Sequence, residues 1–239
     1  MIEIRHLCKD FGSVKAVQDI SLHVPAGELF CFLGPNGAGK TTTLKILTGL
    51  MRPTSGSTSI NGLDIQVDPF RVKQLIGYIP DMPFIYDRLT ASEFFEFTGR
   101  LYNIPSTVIS ARLEELFSLF DLLEQRATLV RELSHGMKQR LIYACTFLHD
   151  PKVLFIDEPL IGLDPYTIRL IKDLLVAKTR AGMTIFLTTH ILALAEDIAD
   201  RIGIIHKGRL TALGSLGELL EQNPGTKTLE DIFLRLTGK

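Results

Sequence analysis

LFCFLGPNGAGKTT, residues 29–42, decides how the rest of the chain is read. Its first five residues are apolar without alternation, the pattern of a short strand covered on both faces. Gly34 to Thr41 then fits G-x-x-x-x-G-K-[ST]. Gly34, Gly37 and Gly39 let the backbone curl tightly, so that N–H groups point at phosphate oxygens. A helix starting near Lys40 adds the positive end of its dipole. In this pattern Lys40 reaches the terminal phosphates and the Thr41 hydroxyl ligates Mg²⁺. A chance glycine turn can show the same letters. The strand before and the helix after are the context that separates the two, and nucleotide binding is the expectation.

Other runs resemble the first. VLFID at 153–157, TIFLTT at 184–189 and RIGIIH at 201–206 are short, apolar and unalternating. Helical stretches at 41–50, 167–180 and 191–200 follow three of the strands. Such alternation predicts an α/β fold with a mostly parallel sheet, which together with the Gly34–Thr41 loop reads as a P-loop NTPase core. MIEIRHL, ISLHV and STSING, within 1–30 and 56–80, predict an antiparallel β layer attached to it. Residues 82–150 read as a helical insert, with apolar positions 109, 113, 116, 117 and 120 on one face. The expected organisation is one domain over 1–239. Residues 1–81 and 151–239 form the core with its β layer, and 82–150 a helical subdomain.

The 239 residues are 46% hydrophobic and 22% charged, a globular rather than a disordered composition. A formal net charge of −1 argues against binding nucleic acid through bulk electrostatics, so no nucleic-acid partner is expected. No apolar run approaches the roughly 18 to 20 residues of a spanning helix. MIEIRHLCKD carries no apolar leader, and the expectation is a cytoplasmic protein, soluble or peripheral to a membrane. Cys8, Cys31 and Cys145 lack metal or redox spacing and read as reduced and structural.

VLFIDEP, residues 153–159, ends a buried strand in two acids. At the carboxyl end of a strand these face the crevice where such sheets bind ligands. Asp157 is placed to hold Mg²⁺ and Glu158 to polarise an attacking water. ELSHGMKQR at 132–140 completes the set. With the other two stretches it resembles the signature of ATP-binding cassette (ABC) ATPases, and the resemblance covers essentially the whole chain. Phe11 resembles the aromatic that stacks on adenine, and Val17 falls with it among the nucleotide contacts. Gly34, Pro35, Asn36, Gly37, Ala38, Gly39, Lys40, Thr41 and Thr42 form the phosphate loop. Asp81 lies where the family usually has Gln or Glu, and joins Thr41 and Asp157 as a metal candidate. LIGLDP at 160–165, with Asp164, resembles the D-loop, and His190 the switch histidine.

The resemblance implies an ATPase that works as a head-to-tail dimer. Ser134, His135, Gly136 and Met137 would meet the γ-phosphate bound by a second copy. One His190 nitrogen would donate to that phosphate, and the other would be oriented by Asp164 across the interface. Glu158 and His190 are the implied catalytic pair, with ATP and Mg²⁺ as ligands. Within the family, IPDMPFIYDRLT, LSHGMKQRL and the LEDIFLRLTG tail resemble cassettes serving exporter-type permeases. HILALAED at 190–197 resembles the Ecs-like cassette subunits. A separate membrane permease is therefore an implied partner, with the chain peripheral on the inner face of the cell membrane. The aromatics Phe84, Tyr86, Phe94, Phe95, Phe97 and Tyr102 are expected to be mostly core, with some lining the permease groove.

Three departures stand out. His135 replaces the first glycine of LSGGQ and Met137 its glutamine. Asp81 is shorter than Glu and charged where Gln is not. Phe11 lacks the hydroxyl of the more usual Tyr. The alternative reading is a non-transport cassette. Those of DNA repair carry long coiled coils, and the 82–150 insert has no sustained heptads. Those acting on ribosomes usually carry two cassettes. A small-molecule kinase would leave the signature and D-loop unexplained.

Overall fold

A computed structural model describes residues 1–158, 160 and 163–238. Two sheets share the chain. β1 (Ile2–Phe11), β2 (Val14–Val24), β4 (Ser55–Ile60) and β5 (Leu63–Asp64) make an antiparallel layer in the order β2-β1-β4-β5. β3 (Leu29–Leu33), β6 (Ile76–Ile79), β7 (Val153–Asp157), β8 (Thr184–Thr189), β9 (Arg201–His206) and β10 (Arg209–Gly214) make the second, in the order β10-β9-β3-β8-β7-β6. Its neighbours from β9 to β6 pair in parallel, while β10 pairs antiparallel with β9.

β3 shows why its run does not alternate. Leu29, Cys31 and Leu33 enter one apolar cluster, and Phe30 and Phe32 enter another. Successive side chains of a strand point to opposite faces, so a strand covered on both must be apolar throughout. Phe30 and Phe32 meet Phe186 of β8 at ring separations of 5.1 and 5.5 Å, and Phe155 of β7 joins them. All four rings are fully buried, each stabilising the fold by about 1.5–3 kcal/mol. This cluster lies against the antiparallel layer and α1 (Lys40–Leu47), which touches both sheets.

The opposite face is covered by helices. α2 (Pro69–Leu75), by contrast, leads into β6 and belongs to the Phe30 and Phe32 cluster through Val72. α3 (Ala91–Leu101), α4 (Ser106–Leu119) and α5 (His135–Phe147) occupy most of 82–150 and share the Leu29, Cys31 and Leu33 cluster with α6 (Pro165–Arg180) and α7 (Leu192–Ile198). The predicted apolar stripe of α4 is buried at Ile109, Leu113, Leu116 and Phe117. Local chemistry sets the helix starts. Thr90 and Glu93 form a capping box on α3, and Asp164 caps α6 with Pro165 following. α8 (Leu216–Gln222) and α9 (Leu229–Thr237) close the described chain. No helix among the described residues is long and apolar enough to cross a membrane.

The insert aromatics divide differently from the expectation of a mostly buried set. Phe94 and Phe95 are buried, whereas Phe84 is 81% exposed and Tyr86 and Tyr102 are exposed as well. Phe84, Tyr86 and Phe97 form an edge-to-face ladder, with ring separations of 5.4 and 5.2 Å. Phe84 and Tyr86 lie on the surface because the segment preceding α3 is a loop and offers no second face on which to bury them, while Phe97 of α3 is half-buried.

Candidate nucleotide-binding site

The carboxyl end of the parallel sheet opens into a cavity of about 370 Å³. Asn36, Gly37, Gly39, Lys40, Thr41 and Thr42 form one wall, and Asp81, Glu158 and His190 line it with them. The loop is built as its letters demand. Gly39 precedes α1 at φ 110°, and a Cβ there would stand 2.4 Å from the Ala16 carbonyl oxygen. A Cβ on Gly34 would stand 2.5 Å from the Ile205 carbonyl oxygen. Side chains at these two positions would push the loop off β2 and β9. Pro35 and the buried Ala38 complete the loop.

Lys40 is 6% exposed and folds back on its own loop. Its ammonium donates to the Gly34 carbonyl at 2.8 Å and the Pro35 carbonyl at 3.3 Å. It also pairs with Glu158 Oε1 at 3.3 Å. His190 Nδ1 lies 3.0 Å from the same oxygen, and the Thr189 hydroxyl donates to Oε2 at 3.3 Å. Glu158 reaches these partners from a left-handed backbone, φ 51°. For a residue with a side chain that is strained by about 1–3 kcal/mol, and such strain clusters at working sites.

Asp157 ends β7, 2% exposed, and its Oδ1 accepts the Thr188 hydroxyl at 2.5 Å. Asp81 sits in the turn after β6. Burial, then the charges of Asp157 and Glu158, hold its carboxyl above the usual carboxylate range, with His190 pulling the other way. Burial pushes the Tyr78 hydroxyl up to about 12, and Asp157 and Asp81 add to the shift. The negative charge collected here is what a divalent cation relieves. Among the described residues no three His, Cys, Asp or Glu side chains form a closed metal cage. That fits Mg²⁺, which takes one or two carboxylates and fills its shell with water and phosphate oxygens.

Phe11 ends β1 48% exposed, an open ring with the Lys9 ammonium 5.2 Å from its centroid. Val17 is placed otherwise. It is fully buried in the cluster under the antiparallel layer, and Ala16 faces the cavity instead. A two-residue repeat in β2 turns neighbours to opposite faces, and the letters KAVQ do not say which one turns outward.

The signature residues lie elsewhere. Ser134 caps α5, accepting from the Met137 N–H at 3.2 Å, which leaves the hydroxyl proton to donate outward. His135, Gly136 and Met137 form the first turn, and none of the four lines the cavity. Gly136 faces Asp164 of the same chain, where a Cβ would come within 3.0 Å of Asp164 Oδ2. That carboxylate accepts from the Thr167 hydroxyl at 2.7 Å and the Thr167 N–H at 3.0 Å, which holds it below its ordinary range. Pro159, Ile161 and Gly162, within VLFIDEP and LIGLDP, lie outside the described residues, as does Lys239. Sequence reading missed the hydroxyls of Thr188 and Thr189 and the closed Lys40–Glu158 pair. TTH at 188–190 carried the letters, but only the register Asp157↔Thr188 shows which acid each hydroxyl meets.

Phosphate loop, strand-end acids and parallel sheet together define a P-loop nucleotide-binding core. The chain belongs to the ABC transporter family, whose model it matches over residues 17–161. It is 33% identical to EcsA of Bacillus subtilis, an ABC-type transporter ATP-binding protein, over 99% of this chain and 96% of that one. It is 40% identical over 87% of its length to an uncharacterised ABC transporter ATP-binding protein of Nostoc sp., and spans 62% of that relative. A solved ATP binding subunit of an ABC transporter superposes with a TM-score of 0.92 at 33% identity, covering 99% of both chains.

Proposed function

We propose that this chain is the ATP-hydrolysing subunit of an ABC transporter, working as an ATP-dependent head-to-tail dimer on a separate membrane permease at the inner face of the membrane. The observation that carries the reading is the cavity in which Lys40, Glu158, His190 and Asp81 converge at the phosphate loop. The Ser134 cap lies outside that cavity, so a second copy would have to bring it to the phosphates. A two-fold dimer supplies each site with the other's signature.

Phe11 offers its open ring to the adenine, and the loop N–H groups take the phosphates. Lys40 exchanges Glu158 and the loop carbonyls for phosphate oxygens. Thr41, Asp157 and Asp81 would hold Mg²⁺, which neutralises phosphate charge when bound. Glu158 accepts a proton from the water that attacks the γ-phosphorus, and the bond to the bridging oxygen breaks, leaving ADP and phosphate. His190 and Ser134 donate to the γ-phosphate oxygens. The ladder of exposed Phe84 and Tyr86 with half-buried Phe97 is the surface for the permease, and Asp81 in the neighbouring turn links it to the phosphates.

The test is the purified chain with MgATP. Hydrolysis at a measurable rate is expected. Glu158→Gln should lower turnover by roughly 10²-fold and convert the protein to a dimer on size exclusion only when ATP is present. Wild-type turnover in Glu158→Gln would remove that residue from the base role. A monomer at saturating ATP would remove the composite site.

A further inference from the structure

Thr189 is fully buried, yet its hydroxyl joins two functional segments. The oxygen accepts the Ile191 N–H at 3.0 Å at the start of α7. With that lone pair occupied, the proton is directed to Glu158 Oε2, 3.3 Å away. The other carboxylate oxygen, Oε1, faces Lys40 at 3.3 Å and His190 at 3.0 Å. The two oxygens of Glu158 therefore have separate partners. Lys40 and His190 line the cavity, and both have a second task at the phosphates, whereas Thr189 has no such task.

We infer that Thr189 is a positioning residue for Glu158. Its hydroxyl holds Oε2 and so turns Oε1 toward the cavity. When Lys40 and His190 move to phosphate oxygens, Thr189 is the donor that stays. It then fixes the carboxylate with one oxygen tethered and one open to water. The need for a tether is visible in the backbone, since the strained φ of 51° at Glu158 does not hold a long side chain in one rotamer. One residue earlier, Thr188 holds Asp157 in the same way at 2.5 Å. Consecutive hydroxyls of β8 thus fix consecutive acids at the end of β7.

This inference rests on Glu158 being the base. The test measures steady-state ATP hydrolysis by the full chain. Thr189→Val should lower kcat about tenfold or more, the worth of a hydrogen bond to a charged group, with KM for ATP within about twofold. Thr189→Ser, which keeps the hydroxyl, should restore kcat to within about twofold. In the Glu158→Ala background Thr189→Val should cause no further loss, because the group it positions is gone. Should Thr189→Val fail to fold, Thr189→Cys takes its place, since the thiol is a weak donor. Wild-type kcat in the variant, failure of serine to rescue, or the same fold loss in the Glu158→Ala background would each overturn the role. Full turnover in Glu158→Ala alone would instead overturn the base assignment.

Discussion

Lys40 and Glu158 form a nearly closed ion pair, Nζ to Oε1 at 3.3 Å, with the side chains 6% and 10% exposed. On the proposed mechanism, the two groups that handle the γ-phosphate and its attacking water are thus bound to each other before nucleotide arrives. Binding must break the pair to free Lys40. Glu158→Gln weakens this competitor and should tighten ATP binding roughly tenfold, the scale of a charged hydrogen bond. The nucleotide-free melting temperature should fall, since Lys40 keeps only the Gly34 and Pro35 carbonyls as full-strength partners. Isothermal titration at low Mg²⁺, with melts of the nucleotide-free protein, measures both. Weaker ATP binding would show that the pair does not compete.

Ser134 caps α5 and, on the proposed mechanism, also donates to a phosphate, two jobs that one substitution can separate. Its oxygen caps α5 at Met137, and its proton is free for an anion. Ser134→Asp keeps the cap and loses the proton, placing a charge that repels phosphate. The expected result is an unchanged melting temperature and unchanged ATP binding, with hydrolysis reduced at least tenfold. Ser134→Ala should lose about 1 kcal/mol of stability as well. Weaker ATP binding by the monomer in Ser134→Asp would argue against action in trans.

Asp81 carries a raised pKa without nucleotide, so its charge opposes the fold at neutral pH. The stability linked to protonation is present below the ordinary Asp value and is lost as pH rises through the raised one. Asp81→Asn should therefore raise the melting temperature at pH 7 and leave it nearly unchanged at pH 3.5. The Mg²⁺ needed for half-maximal ATPase should rise, with KM for ATP little altered and permease stimulation reduced. Unchanged Mg²⁺ dependence and stimulation would make Asp81 a turn residue alone.

The sequence made the mouth of the sheet legible because glycine, lysine and strand-end acids have fixed chemical roles. Three things were not legible. Val17 is buried while Ala16 lines the cavity, because one-residue register is invisible in a short strand. Thr189 meets Glu158 through pairing of strands far apart in sequence. Phe84 is exposed although its type is usually buried, because burial depends on what lies opposite.

Phe84 itself gives a clean test of the proposed permease surface. It is 81% exposed, so Phe84→Ser should leave the melting temperature and basal ATPase unchanged. Loss of a central aromatic anchor should weaken co-purification with the permease about tenfold or more. Equal recovery of the complex would move the contact elsewhere.

His149 stacks on Tyr102 with ring centres 3.8 Å apart, and its Nε2 bonds the Ile76 carbonyl at 2.9 Å. This joins the end of α5 to α3 and β6. Nδ1 is buried without a hydrogen-bond partner. Burial holds the imidazole below its ordinary pKa, against the Ile76 bond and Asp150. The neutral ring contributes stability above about pH 6.5, and this is lost as pH falls toward the lower folded value. Melting temperature should drop more steeply between pH 7 and 5 in the wild type than in His149→Gln. Parallel slopes would show that the ring titrates freely.

β3 is the keystone of this molecule. One short strand wedges two apolar masses apart and, at Leu33, becomes the phosphate loop. A close-packed wedge has little give, so the loop inherits the stiffness of both sides. On the proposed mechanism, motion during a cycle has to be taken up at the free margins: the turn at Asp81, the helices beyond it and the side chains that exchange carboxylate for phosphate. The anvil stays put, and whatever is moved is moved against it.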